Sequence, residues 1–298
     1  MDKGLFSHVK YLTINEQDKN WGLCITTAGY QSIEPHSLYP PQGHPSQYWF
    51  NPAMGRTLHE YQLVYITKGE GVFQSRSVKS IRVKSGTLLL LFPGEWHTYC
   101  PDTHTGWDTY WIGFCGHFPD NLVRYNFSSR ETPVHEVGFN EQIVTLFEET
   151  IDLAKRERTG FQQLASGITI HMLGLIYYII KNNYFKDKEM VSTIEKAKMI
   201  MQEHAGGETC LKDIASELNM SYSWFRKMFR QYTGLSPVQY QLQIKLQKAK
   251  ALLVSSSMTI KEIAYLLEFE SPNYFISFFK NKTGYSPASY RKISHGKS

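Results

Sequence analysis

The side chains best suited to chemistry lie near the end of the chain, in two stretches that repeat one another. In the first stretch, polar and basic residues recur at helical spacing: Ser221, Tyr222, Ser223, Arg226, Lys227 and Arg230. The second stretch contains Asn273, Ile276, Ser277, Lys280 and Lys282 at similar spacing. Side chains of these types donate hydrogen bonds to phosphate or read the edges of base pairs. Both stretches are therefore candidates for contact with nucleic acid.

Each stretch belongs to one copy of a tandem repeat, residues 211–240 and 260–290. Phe225 corresponds to Phe275, 50 positions later, whereas residues of the first copy whose counterparts precede Glu270 recur 49 positions later. The extra residue is best placed between two helices, where a turn absorbs it. A short helix, a tight turn and a second helix with a basic outer face predict a helix-turn-helix in each copy. An ordinary solvated face explains one copy equally well, but two copies in a basic segment favour DNA binding.

The second helix of each predicted unit is the one that fits the major groove of DNA. We expect base contacts from Arg226, Lys227, Asn273 and Ile276. We expect phosphate contacts from Arg230, Lys280 and Lys282. Ser221 and Ser271 are predicted N-caps of these helices. Thr259 with Glu262 predicts a capping box at the start of the first helix of the second copy.

The charge of the chain is concentrated in the same region. Residues 191–298 hold 15 Lys and Arg against 8 Asp and Glu, whereas residues 1–190 hold 17 against 19. This asymmetry predicts a polyanionic partner for the last third of the chain.

The cysteine pattern and the apolar runs indicate the cellular compartment in which the protein is expected. Four widely spaced cysteines, Cys24, Cys100, Cys115 and Cys210, predict reduced, buried thiols in a reducing environment. No apolar leader is visible, and the most apolar run, residues 168–180, is too short to cross a bilayer. We therefore expect a soluble, cytoplasmic protein.

The first half of the chain has strand patterns. Residues 61–67, 87–92 and 106–114 predict strands, residues 68–71 predict a turn, and residues 1–20 predict an arm or edge segment. Short strands separated by Gly and Pro at this spacing predict a small antiparallel barrel or sandwich.

Two amphipathic helices are predicted next, at residues 140–158 and 161–184. The second carries a stripe of Leu164, Ile168, His171, Leu175 and Tyr178. The helices could close the barrel or pair with a second subunit, and we favour pairing. The predicted fold is α+β and multidomain: a sensing barrel in residues 1–139, dimerisation helices in 140–185, a linker in 186–192 and an all-α DNA-binding domain in 193–298.

The repeat resembles the AraC/XylS family of bacterial transcriptional regulators. The pattern F-x3-F-K-x-K-T-G-Y-S-P-x-S-Y-R, from Phe275 to Arg291, is close to the signature of that family. The resemblance covers about 100 residues and implies two helix-turn-helix units joined by one long helix, at about residues 236–254. One departure is Glu268, which stands in a turn where the family commonly has glycine; Asn219 occupies the matching place in the first copy. If the turn needs a positive φ, Glu268 fits it less well than glycine.

The strand-rich half is similar to the cupin-like, arabinose-regulator-type effector domain of the sugar-responsive members. The matching segments are residues 63–73, 86–99 and 106–114. By motif, the resemblance places Tyr99 and Trp111 in a sugar pocket and Arg56 near its mouth. His97 and Trp107 are weaker candidates. Both tryptophans share one side of a predicted strand and could instead fill the barrel, and Tyr99 could satisfy a turn.

A metal-dependent cupin enzyme fused to a DNA-binding tail is the alternative of a different class. That chemistry needs several His and a carboxylate on facing strands. Only His97 lies near such a motif, and no HxH pair occurs in residues 61–73; His36, His44, His59, His104 and His117 are scattered singly. We therefore expect no enzyme, no catalytic residues, no metal and no cofactor.

These observations together predict a transcription regulator controlled by a small molecule. The resemblance implies a sugar effector, activation, a homodimer on operator DNA, and RNA polymerase as a candidate partner. A regulator that senses a non-sugar signal is the alternative within the same class.

Overall fold

The structure is a computed structural model that describes residues 7–40, 51–184, 188–203 and 210–295. The chain divides into two units, Met1–Tyr184 and Phe185–Ser298. The first unit contains the sheets and the second is helical. Residues 1–6 of the predicted arm, His44 and residues 186 and 187 of the predicted linker lie outside the described residues.

The first unit is built from two antiparallel sheets. Its strands are β1 Ser7–Tyr11, β2 Cys24–Ile33, β3 Arg56–Thr57, β4 Tyr61–Ser75, β5 Ile81–Lys84, β6 Thr87–Leu91, β7 Trp96–Pro101, β8 Trp107–Cys115 and β9 Val134–Glu136. The order β1-β2-β8-β4-β6-β9 forms one sheet, and β3-β7-β4-β5 forms the other. The predicted antiparallel barrel is confirmed, and β1 is the predicted edge segment at the border of the larger sheet.

Strand β4 belongs to both sheets, which corrects the turn predicted at residues 68–71. The strand shifts register between Ile66 and Lys68, and Gly69 adopts φ +80° there. A Cβ on Gly69 would lie 2.0 Å from the carbonyl oxygen of Gly106. Glycine therefore permits a bulge in a continuous strand, because it accepts positive φ and a close backbone neighbour. The first half of β4 pairs with β6 and β8, and the second half pairs with β5 and β7.

Alternation along the strands separates two cores. On β4, Leu63 and Tyr65 face the helices, whereas Val64 and Ile66 face the barrel interior. The barrel core also contains Phe73, Val83, Leu89, Leu91 and Trp107. This pattern follows from the period of two that a strand imposes on its side chains.

The helices of this unit are α1 Glu16–Lys19, α2 His117–Arg124, α3 Glu141–Arg156 and α4 Phe161–Tyr184. Helix α4 is held on β2 by polar contacts: the Gln162 amide exchanges two 2.9 Å hydrogen bonds with the backbone of Ile25, and the Ser166 hydroxyl donates to the carbonyl of Leu23. Its buried residues include Ala165, Ser166, Thr169, Met172 and Ile176. The predicted stripe Leu164, Ile168, His171, Leu175 and Tyr178 is exposed or half-buried. Ile168 and Leu175 still pack against the core of the unit, so Leu164, His171 and Tyr178 form the exposed part of the stripe.

Helix α4 also corrects the expectation that no segment is long enough to cross a bilayer. Within the described residues, Phe161–Asn183 is the helical stretch with the required length and composition, at mean hydropathy 1.4. One such helix is weak evidence for a membrane span, because core helices of soluble proteins meet the same criteria. Here the buried residues of α4 pack on the sheet of its own unit.

The cysteines are free thiols, but they are not uniformly buried. Cys24 is buried, Cys100 and Cys115 are half-buried, and Cys210 is exposed, which corrects the prediction for that residue. Cys24 and Cys115 also lie directly opposite each other on β2 and β8 despite their distance in sequence. Burial raises the pKa of the Cys24 thiol to about 11. Cys24 is therefore protonated at neutral pH and poorly reactive.

The second unit contains α5 Lys188–Glu203, α6 Leu211–Glu217, α7 Tyr222–Thr233, α8 Pro237–Ser255, α9 Ile260–Leu266, α10 Pro272–Thr283 and α11 Pro287–Ser294. Helix α5 begins at Lys188, so residues 188–192 are helical and not part of the predicted linker. The predicted caps are confirmed at Ser221, Ser271 and Thr259, whose side chains accept backbone N–H groups.

Each helix-turn-helix copy packs around its own pair of phenylalanines. Phe225 and Phe229 are fully buried with α5 and α6, and Phe275 and Phe279 are fully buried with α8 and α9. The rings of Phe229 and Tyr240 lie 5.2 Å apart, and the corresponding Phe279 and Tyr290 lie 5.3 Å apart. The repeat in the sequence is therefore a repeat in three dimensions, with α8 as the joining helix that the resemblance implies.

Candidate nucleic-acid interface and ligand cavity

The outer face of α7 forms a concave basic surface. It is lined by Ser223, Arg226, Lys227, Arg230, Gln231 and Ser236, with no acidic side chain among them. The Arg226 guanidinium lies 5.9 Å from the Tyr222 ring centroid, and the Lys227 amine lies 5.5 Å from the Trp224 ring. Such cation–π contacts hold long side chains in place without neutralising them. Three cations therefore stay available to an anionic partner.

Two residues predicted for this surface have a structural part to play. Ser221 caps α7 by accepting the backbone N–H of Trp224 at 3.4 Å. Tyr222 is half-buried and packs on Phe225, with ring centroids 6.5 Å apart. Both residues position the helix, and Tyr222 also supports Arg226.

The face of α10 is also exposed, but it carries less charge. Its exposed residues are Asn273, Ile276, Ser277, Lys280 and, in the last turn, Lys282. Ile276 is 37% exposed, which places an aliphatic group in the middle of a polar face. The two recognition faces therefore differ: α7 is dominated by cations, whereas α10 mixes an amide, an aliphatic group and two lysines.

The turn before each of these helices has the same backbone geometry. Asn219 has φ 55° and Glu268 has φ 51°. The next backbone N–H groups close the turns, from Met220 to Ala215 at 2.8 Å and from Phe269 to Ala264 at 3.0 Å. The turn does require a positive φ at Glu268, and the left-handed conformation is unfavourable for a residue with a Cβ. The backbone carbonyl of Glu268 accepts a 2.9 Å hydrogen bond from the Lys245 amine.

Sequence analysis overlooked two exposed aromatic residues on these faces. Trp224 is 44% exposed and Tyr274 is 43% exposed, and they occupy equivalent places in the two copies. A side-by-side comparison of the copies could have detected them, because an aromatic residue recurs beside each buried phenylalanine.

In the first unit, the barrel interior contains a small cavity. Arg56, Tyr99 and Trp111 line it, as the resemblance implies, together with residues that were not predicted: Tyr11, Thr27, Gln31, Tyr39, Pro40, Gln62, Val64 and Thr109. The guanidinium of Arg56 donates to the Tyr99 hydroxyl at 2.8 Å and to the Gln62 side-chain oxygen at 3.3 Å. The cavity encloses about 60 Å³, about two water molecules.

The other two predicted pocket residues lie behind the cavity wall. His97 is buried and accepts from Arg56 Nε at 3.5 Å through Nε2, while its Nδ1 lies 3.1 Å from the carbonyl of Glu95. Burial, and then the Arg56 charge, lower the pKa of His97 to about 4. Trp107 is 2% exposed and packs on Tyr39 and Tyr99. His97 thus orients Arg56 as a neutral acceptor, and Trp107 belongs to the barrel core.

Strand β2 contributes cavity residues that the sequence did not reveal. Gln31 is 7% exposed and lines the cavity, yet its side-chain nitrogen has no hydrogen-bond partner among the described residues. A Cβ on Gly29 would lie 2.3 Å from the Trp111 ring, so glycine is what leaves room for the indole. The period of two along β2 could have grouped Thr27, Gly29 and Gln31 on one side of the strand.

The histidines provide no metal site in the part of the chain that the structure describes. No group of three His, Cys, Asp or Glu side chains is placed there to hold a metal ion. His36 packs edge-on against His104, with ring centroids 5.4 Å apart.

Comparison with known proteins agrees with the division of the chain into a first unit with the sheets and a second, helical unit. Residues 34–173 match the AraC-like ligand binding domain, and residues 214–293 match a helix-turn-helix domain. The chain is 25% identical to the MmsAB operon regulatory protein of Pseudomonas aeruginosa, over 80% of this chain and 78% of that protein. It is 25% identical to the Msm operon regulatory protein of Streptococcus mutans, over 80% of this chain and 87% of that protein. It is 23% identical to the raffinose operon transcriptional regulatory protein RafR of Pediococcus pentosaceus, over 78% of this chain and 84% of that protein.

A ligand-binding barrel together with two helix-turn-helix units defines a DNA-binding transcriptional regulator, not an enzyme. The chain belongs to the AraC family of these regulators.

Proposed function

We propose that this chain is a sugar-responsive activator whose effector binds in the barrel cavity of the first unit. The observation that carries the proposal is the set of groups around that cavity. Arg56, Gln31 and Tyr99 supply polar groups, and Trp111 supplies an aromatic face. Sugars bind to such sites through hydroxyl hydrogen bonds and through contact of their C–H faces with aromatic rings. Among the residues that the structure describes, the side-chain nitrogen of Gln31 has no hydrogen-bond partner, so it is a donor that a ligand oxygen would satisfy.

The cavity must enlarge for a sugar to enter. Its volume of about 60 Å³ is well below the roughly 300–1,000 Å³ of ordinary ligand sites. Tyr11 on β1 and Tyr39 after β2 line the cavity, so we infer that they move when the effector binds. Such a movement would report the ligand at the edge of the larger sheet, because β1 is its edge strand.

On DNA, we propose that α7 and α10 occupy successive major grooves. Arg226, Lys227, Asn273 and Ile276 would contact bases, and Arg230, Lys280 and Lys282 would contact phosphates, as expected from the sequence. Helix α8 has 19 residues and is therefore about 28 Å long. That length approaches the 34 Å repeat of B-DNA. Ser223 stands on the same basic surface as Arg226 and would donate to phosphate or base.

For assembly, we propose a homodimer formed through α4. Its exposed stripe includes Leu164 and Tyr178, which are 56% and 65% exposed. Large apolar side chains aligned at helical spacing on one face are typical of helix–helix interfaces. We further propose that the dimer acts in the bacterial cytoplasm and recruits RNA polymerase. The raffinose regulator among its relatives favours a sugar over other signals.

A thermal-shift screen against mono- and oligosaccharides tests the effector proposal. A sugar at 100 times its dissociation constant should raise the melting temperature of the first unit by roughly 5–10 °C. Trp111→Ala should abolish the shift, whereas Trp21→Ala, which removes an exposed tryptophan away from the cavity, should preserve it. A shift that survives Trp111→Ala would contradict the proposed site. No shift with any sugar would overturn the sugar effector and favour a non-sugar signal, and stoichiometric bound metal would favour the cupin-enzyme alternative.

A further inference from the structure

A second cavity lies on the opposite face of the larger sheet, between the sheet, α4 and the loop after α2. It encloses about 470 Å³, within the usual range for small-molecule sites. The sheet contributes Leu63, Leu88 and Leu90, and α4 contributes Leu173 and Ile176. Its size and its leucine and isoleucine side chains distinguish it from the barrel cavity, whose lining combines polar groups with aromatic rings.

Polar groups also line this cavity, and they come from the loop, β9 and the end of α4. They are Asn126, Ser128, Ser129, Thr132, His135 and Lys181. No aspartate or glutamate is among the lining residues. Within the described residues, Lys181 forms no ion pair, and its amine lies 5.3 Å from the Tyr177 ring, which also lines the cavity. Burial lowers the pKa of His135, so this histidine is neutral and can accept or donate one hydrogen bond.

This distribution defines the ligand by its chemistry. An aliphatic wall requires a hydrocarbon body, because burying each methylene group favours binding by about fourfold. A lysine without an acidic neighbour in the cavity lining favours a ligand with one anionic group. Hydroxyl and amide side chains of the cavity can donate further hydrogen bonds to that group. A sugar would leave the leucines and isoleucines without apolar contacts.

We propose that this cavity binds a medium-chain aliphatic carboxylate, with its chain against the leucines of β4 and β6 and its carboxylate at Lys181. The proposal does not depend on the sugar site, because the two cavities lie on opposite faces of the sheet and share no lining residue. Its regulatory consequence follows from α4. That helix lines the cavity with Leu173 and Tyr177 and carries the exposed stripe, so an occupied cavity acts on the proposed dimer face.

Gly174 makes a sharp test possible. It lines the cavity, and a Cβ built on it meets no atom within 4 Å. Gly174→Leu should therefore extend into open space near the ligand without a clash. Gly167 lies on the same helix with equally open surroundings and does not line the cavity. Gly167→Leu is thus the matched control, since both changes remove a helical glycine.

The experiment is isothermal titration of the full chain with decanoate, octanoate and decanol. We expect decanoate to bind about tenfold or more tightly than octanoate, because it has two more methylenes, and more tightly than decanol. Gly174→Leu should weaken decanoate at least tenfold, Gly167→Leu should not, and Lys181→Gln should reduce the preference for decanoate over decanol. No decanoate binding, or equal binding by both glycine variants, would overturn the proposal.

A second measurement does not depend on the folding of a variant. A decanoate analogue with a photoreactive diazirine on its chain, crosslinked to the full chain, should label α4 between residues 170 and 181 or the facing strands. Labelling confined to the barrel residues near Trp111, or spread evenly over the surface, would overturn the proposed site.

Discussion

Arg56 is the charged residue at the barrel cavity, and a buried histidine helps to set its position. The Nε2 atom of His97 faces Arg56 Nε at 3.5 Å, so the ring must remain neutral for the contact to be favourable. Burial and the guanidinium both disfavour the imidazolium, which explains the pKa of about 4 for His97.

This environment predicts a pH dependence of stability. The unfolded chain binds a proton at His97 with a pKa near 6.5, whereas the folded chain does so only near 4. The stability contributed by neutral His97 is therefore fully present above pH 6.5 and lost as the pH falls towards 4, by up to about 3 kcal/mol. His97→Gln should flatten the unfolding free energy of the first unit over that interval. Parallel pH profiles for the two proteins would contradict the assignment.

Glu268 gives the second prediction for a single residue. Its φ of 51° is strained for a residue with a Cβ, so Glu268→Gly should stabilise the second helix-turn-helix by about 0.5–1 kcal/mol. Asn219→Gly is the matched control, because asparagine tolerates this conformation better and should gain less. Hydrogen exchange of the α10 and α7 amides measures each effect locally. An equal gain in both copies, or faster exchange in α10 of the Glu268 variant, would argue against strain at Glu268.

At the scale of elements, the two recognition helices should make different kinds of contact. Arg226→Ala should weaken binding to the specific site about 10–100-fold and change binding to random DNA little. Lys280→Ala should weaken both and reduce the salt slope by about one. Lys196→Ala, an exposed lysine on α5, is the control for a change of charge alone. Equal losses on specific and random DNA for Arg226→Ala would exclude base reading by that residue.

Helical elements were predictable because their signals are local. Caps, periodicity and the repeat predict α3, α4, α6, α7, α9 and α10 within a few residues, the resemblance implies α8, and Ser221 and Thr259 cap as expected. The bulge in β4 was not predictable, because Gly69 also suits a turn. The backbone of Gly106 decides between a bulge and a turn, because its carbonyl oxygen lies 2.0 Å from where a Cβ of Gly69 would be. Gly106 is distant from Gly69 in sequence.

The candidate sites were predictable in part for the same reason. Basic faces at helical spacing are visible in one stretch of sequence, so the α7 and α10 residues could be named. The barrel cavity joins β1, β2, β3, β4, β7 and β8, and only three of its residues were named through the resemblance. Gln31 escaped notice because its significance depends on a missing hydrogen bond, which only coordinates reveal.

The chain as a whole joins a ligand-binding unit to a basic DNA-binding unit. The last 108 residues carry the excess of 15 Lys and Arg over 8 Asp and Glu, which supplies affinity for any DNA. We propose that sequence preference then comes from α7 and α10. An effector can control the regulator only if it binds more tightly to one arrangement of the chain than to another.

The central claim is that two helix-turn-helix units of one chain read DNA together. Selection of binding sites from a random DNA pool by the full chain tests it most directly. We expect enriched sequences with two short motifs about 10 base pairs apart, one of which is lost when the Arg226→Ala variant is used for the selection. A pool without enrichment, or with a single motif unaffected by Arg226→Ala, would contradict the account.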